Sequence, residues 1–66
     1  MQNYNGERFA IFVIAEGGKI VSELNFADPS KARDALDDVA RDHEDAKRII
    51  LIDRQDGRIM GEHNRT

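Results

Sequence analysis

Phe9-Ala10-Ile11-Phe12-Val13-Ile14-Ala15 is apolar at every position, and Ile49-Ile50-Leu51-Ile52 repeats that pattern later in the chain. A strand points alternate side chains to opposite faces, so one apolar throughout needs cover on both. Residues 19–26 and 58–63 instead alternate or carry charge, as strands with one wet face do. Only one long helical pattern lies in the chain, enough to cover one face of one sheet. The other face is expected to be covered by a second protein chain.

Working outward from Phe9, strand 1 is expected over residues 8–15. Glu16-Gly17-Gly18-Lys19 reads as a two-residue hairpin turn, because both glycines accept positive φ. Strand 2 follows over 19–26. Asp28 suits a helix N-cap and Pro29 the first helical position. The helix is expected over 29–44, where Ala32, Ala35, Leu36, Val39, Ala40 and His43 follow the spacing of one buried face. Strand 3 covers 47–53, Gln55-Asp56-Gly57-Arg58 is a second tight turn, and strand 4 covers 58–63. The order is ββαββ, an α+β fold. If strand 3 pairs with strand 1, the sheet is antiparallel in order 2-1-3-4. The two fully apolar strands then lie in its centre, with one helix packed on one face.

Two-residue turns set the registers within each hairpin. Ile14 falls opposite Val21, Ile11 opposite Leu24 and Phe9 opposite Phe26. Phe9, Ile11, Val13, Ile20, Leu24 and Phe26 share one face, and Ala10, Phe12, Ile14, Val21 and Glu23 the other. In the second hairpin Ile50, Ile52 and Ile59 group together, as do Ile49, Leu51 and Met60. Placing the helix over the first set of each hairpin leaves Phe12, Ile14, Val21, Ile49, Leu51 and Met60 on the open face. A slip of one residue exchanges the sets.

Sixty-six residues make one domain, with residues 1–6 and 64–66 expected to be flexible. Chains of this size bury only about 60% of their unfolded surface and usually need a helper. With no cysteine, disulfides and thiolate zinc sites are excluded, and two scattered histidines make no zinc site. Oligomerisation remains. The chain is 39% hydrophobic and 35% charged, as folded domains are. No apolar run reaches the ~20 residues that span a bilayer, and the polar start, Met1-Gln2-Asn3-Tyr4-Asn5-Gly6, is unlike a signal peptide. A soluble cytoplasmic protein is expected.

Charge is segregated. Residues 27–46 hold seven acidic and three basic side chains, a net of −4, against +1 for the remainder. Asp34, Asp37, Asp38, Asp42 and Asp45 line the outer helix face. Like charges four residues apart oppose one another, and anions near a helix C-terminus oppose its dipole. Arg33–Asp37, Asp37–Arg41 and Arg41–Asp45 are the expected compensating pairs. The face reads either as solvated surface or as an acidic surface that docks on a basic partner. The C-terminal hairpin is slightly basic, with Lys47, Arg48, Arg54, Arg58 and Arg65 outnumbering Asp53, Asp56 and Glu62. Its basic side chains could contact phosphates, but it has no aromatic residue for bases to stack on, so direct nucleic-acid binding is not expected and the charge reads as edge-strand protection.

Two chemistries are set aside. With Gly57 at the sixth place of a calcium loop, Ile52, Arg54 and His63 stand where carboxylates are needed. Ser22, Ser30, Tyr4 and Thr66 have no evident base beside them, and Gly17-Gly18 opens no helix that would cradle a phosphate. No enzyme, cofactor or metal is expected.

The run Ile50-Leu51-Ile52-Asp53-Arg54-Gln55-Asp56-Gly57-Arg58-Ile59, preceded by an Ala-rich helix and an apolar hairpin, resembles a group of very small uncharacterised bacterial and phage ββαββ domains. The resemblance covers residues 9–63 and implies the fold alone, because that group has no activity to carry over. The acidic helix and the lack of tryptophan depart from it. The functional expectation is a small non-enzymatic interaction module, homodimeric through its open sheet face. The alternative is an acidic inhibitor or nucleic-acid mimic that binds a basic, nucleic-acid-handling partner through its helix. Phage proteins that block host defence complexes are similar in size and charge.

Overall fold

The computed structural model describes residues 6–64. The elements follow in the order β1 (Phe9–Ile14), a 3-10 turn (Glu16–Gly18), β2 (Ile20–Phe26), α1 (Pro29–Asp42), β3 (Arg48–Asp53) and β4 (Arg58–Asn64). The sheet is antiparallel in order β2-β1-β3-β4. The helix packs on one of its faces, as the ββαββ pattern implies. Of the segments expected to be flexible, residues 1–5 and 65–66 lie outside the described residues, and Asn64 closes β4.

The helix begins where its sequence says. The Asp28 carboxylate accepts from the Ser30 backbone N–H at 2.8 Å, and Pro29 opens the first turn. Ala32, Leu36, Val39 and Ala40 are buried, with Ala35 and His43 half-buried, so the 3.6-residue spacing selects the inward face. The helix stops at Asp42, two residues before the expected end. His43 leaves helical φ/ψ, and its N–H still bonds the Val39 carbonyl at 3.0 Å. Asp42, Glu44 and Asp45 crowd anions at the negative end of the dipole, which disfavours a further turn.

Both hairpin turns are longer than expected, and each hairpin carries a bulge, which restores the expected register in the first alone. The first loop has three residues, Glu16-Gly17-Gly18, closed by Ala15 N–H on the Lys19 carbonyl at 2.7 Å. This pairs Ile14 with Ile20 rather than with Val21. A bulge after Val13 absorbs the offset, so Phe9↔Phe26 and Ile11↔Leu24 form as expected. The second loop is 54–57, closed by Gly57 N–H on the Asp53 carbonyl at 2.7 Å, with Gly57 at φ 71°. Its bulge lies between Leu51 and Ile52. A bulge adds one residue to one strand, so a turn and a register that disagree by one coexist.

The facing of the second hairpin corrects the expectation. Its two sets hold together, but they are reversed. The β1–β3 register pairs Val13 with Ile49, Ile11 with Leu51 and Phe9 with Asp53. Ile49 and Leu51 are therefore fully buried under the helix beside Ile11 and Val13, and Met60 packs against that core. Ile50, Ile52 and Ile59 take the opposite face. Ile20 also departs, because its pairing with Ile14 brings it to the open side. Gly61, opposite Leu51, marks where the helix presses closest: a Cβ there would lie 2.8 Å from Leu36 Cδ2.

Candidate functional site

The open sheet face can be laid out from the registers. Asn25, Ala10, Ile52 and Ile59 form one row across the four strands. Glu23, Phe12, Ile50 and Glu62 form the next, and Ile20, Ile14, Arg48 and Asn64 the last, with the bulged Val21 beside Ile20. Phe12, Ile14, Ile50 and Ile52 make a half-buried apolar centre. The exposed large apolar side chains stand towards its corners: Ile20 at 57%, Val21 at 53% and Ile59 at 51% exposure. Of the six residues expected here, Phe12, Ile14 and Val21 are in place. Ile49, Leu51 and Met60 are not, and Ile20, Ile50, Ile52 and Ile59 join instead. Ile20 is moved by the bulge in the first hairpin, and no local pattern identifies the other three, because their facing depends on how β1 meets β3 across more than thirty intervening residues.

Charged side chains frame this centre. Arg54 reaches from the end of β3 to β2, where Nη2 bonds Glu23 Oε2 and Asn25 Oδ1, each at 2.8 Å. To do so it crosses β1 at Ala10, the small residue between Asn25 and Ile52, and Ala10 is fully buried. The guanidinium carbon lies 5.7 Å from the Phe12 ring centroid, a cation–π distance. At the far end Arg48 pairs with Glu62. Arg54 thus lies across part of the face.

The acidic helix is exposed along Asp34, Asp37, Asp38 and Asp42, while Asp45 stands in the turn beyond the helix end. The compensating pairs differ from the i, i+4 expectation. Arg41 takes Asp38, one turn back, and Asp37 Oδ1 lies 3.5 Å from His63 Nε2 on β4. Asp34, Asp42 and Asp45 form no ion pair among the described residues.

At the opposite end of the sheet, Asp53 is a buried carboxylate on the helix side, 6% exposed. Arg8 grips it with two parallel bonds, Nε to Oδ1 at 2.8 Å and Nη2 to Oδ2 at 2.7 Å. The Gln55 N–H adds a third at 3.0 Å. Those bonds, led by Arg8, hold the Asp53 carboxyl below the usual carboxylate range, although burial opposes them. The same carboxylate raises the Arg8 pKa. Sequence reasoning gave neither residue a role. The pair spans 45 positions, and the only local hint is a charged residue ending an apolar strand.

Comparison with protein-family models, with curated proteins and with solved structures finds no match. Among the described residues, no helix is long and apolar enough to cross a membrane.

Proposed function

We propose that this protein is a small non-enzymatic interaction module that pairs with a second copy of itself through the open sheet face. The observation that carries the reading is an apolar sheet face opposite the helix, with Ile20, Val21 and Ile59 exposed and Arg54 the one charged side chain that lies across it. Its size is suitable. The molecule measures 35 × 23 × 16 Å, so its whole broad side, of which the apolar centre is a part, outlines roughly 800 Å², one partner's share of a standard interface. A self-complementary patch needs no second gene product, and two-fold pairing is the commonest outcome. The frame suits it too, since Arg48, Glu62, Arg54 and Glu23 can exchange partners across a two-fold.

Light scattering after size exclusion tests this. The expected mass is twice the 7.5 kDa chain, at low and high salt. Ile50→Asp and Ile59→Asp are expected to return it to one chain with the far-ultraviolet spectrum retained. Wild-type protein that stays single at the highest attainable concentration, or a dimer that survives both substitutions, overturns the reading.

The helix supports a second reading, that a basic, nucleic-acid-handling protein docks on Asp34, Asp37, Asp38, Asp42 and Asp45. The observation favouring it is that Asp34, Asp42 and Asp45 are exposed without ion pairs among the described residues. Such docking weakens steeply with salt and with Asp34→Lys or Asp42→Lys. Binding that ignores both counts against it. The two readings are compatible, because sheets joined face to face leave both helices outward.

A further inference from the structure

Six arginines lie among the described residues. Arg8, Arg41, Arg48 and Arg54 each have a carboxylate partner. The side chains of Arg33 and Arg58 make no hydrogen bond or ion pair with any described residue, in a chain with three more acidic than basic side chains. These two line the same groove. It has a volume of about 300 Å³ and runs between the first half of α1 and the β3–β4 turn, with Asp53, Asp56, Ile59 and Met60 as its other walls. The two carboxylates do not answer the arginines. Asp53 gives both oxygens to Arg8, and Asp56 also lies on the Arg8 side, 3.8 Å from Nη2. Two guanidinium groups thus border one concavity with their donors unused, beside an apolar wall. A guanidinium presents a planar fork of donors that matches an oxyanion, and its weak hydration makes it the cation suited to that task. The volume is at the lower end of small-molecule sites.

We propose that this groove binds the oxyanion group of a small molecule, a phosphate or a carboxylate, between Arg33 and Arg58, with the ligand's apolar part against Met60. Arg8 acts indirectly, by taking up the charge of Asp53 that would otherwise repel such a ligand. The site does not depend on self-association, whose readout is mass.

The test is a titration of the isotope-labelled full chain with inorganic phosphate, and separately with acetate, at ionic strength held constant with chloride. Saturable shifts are expected at the Arg33 and Arg58 Nε–H groups and at the amides of Gly57, Ile59 and Met60. Arg33→Gln and Arg58→Gln are each expected to weaken the apparent affinity about tenfold, the loss of one charge-assisted pair. Lys31→Gln, two residues from Arg33 and so on roughly the opposite side of the helix, is the control and leaves it unchanged. Both arginines are exposed, so neither substitution threatens the fold. Saturation by phosphate alone supports the site and assigns a phosphate ligand; saturation by both anions supports it with a carboxylate admitted. Shifts that rise linearly for every arginine, or an affinity the same in both variants, overturn it.

Discussion

Asp53 shows how one residue can be misread locally and still be decisive. Sequence places it as the polar end of an apolar strand; the structure buries it and supplies a guanidinium from 45 residues away. Because its carboxyl titrates below the unfolded value, the native state binds fewer protons and gains stability from it. That gain is present above the unfolded carboxylate pKa of about 3.9 and is lost as pH falls through the lower folded value. Urea midpoints measured from neutral pH downwards are therefore expected to fall in this acid range for the wild type. Asp53→Asn should be less stable at neutral pH and show a flatter acid limb, with the two curves converging. Parallel curves would mean that the Arg8 bonds contribute nothing specific to Asp53.

Among elements, the helix and the sheet meet through small residues and one glycine. The alanine spacing of α1 and the Asp28-Pro29 start were legible because they are local, fixed by helical period and capping chemistry. Gly61 carried a legible signal as well, since glycine inside a strand often marks a close approach, yet only the structure identifies Leu36 as the approaching side chain. Gly61→Ala is expected to destabilise by about 1 kcal/mol through overpacking against a flexible leucine end. In a Leu36→Ala background, itself costing about 2–5 kcal/mol, the added methyl should become neutral or favourable. Denaturant unfolding of the four proteins measures this coupling, and simple additivity would show that helix and strand do not press together here. The hairpins teach a related lesson. Their residue sets, Ile20 apart, were readable from alternation, whereas loop lengths were not, because Gly17-Gly18 and Asp56-Gly57 suit two-residue and longer turns alike.

For the whole molecule, the proposed pairing through the open face has a consequence for stability. If two copies share the open face, association is linked to folding, and the melting temperature rises with protein concentration. A rise of about a few degrees across a hundredfold range is expected for the wild type, from the scaling of small domains. Ile59→Asp should melt at one temperature throughout. A wild type that is equally insensitive would place all its stability within one chain.

The sequence by itself determined the ββαββ order, the central position of the two apolar strands, the inward face of the helix and the segregation of negative charge on it. Each follows from local period, capping or composition. Tertiary structure alone decided which face of β3 and β4 meets the helix. That sent Ile49, Leu51 and Met60 to the core and left Ile50, Ile52 and Ile59 on the open side. Apolarity cannot make that choice when a strand is apolar on both faces. It is made by the β1–β3 register, by Arg8 reaching Asp53, and by the room that Gly61 leaves for Leu36, all contacts between residues far apart in the chain.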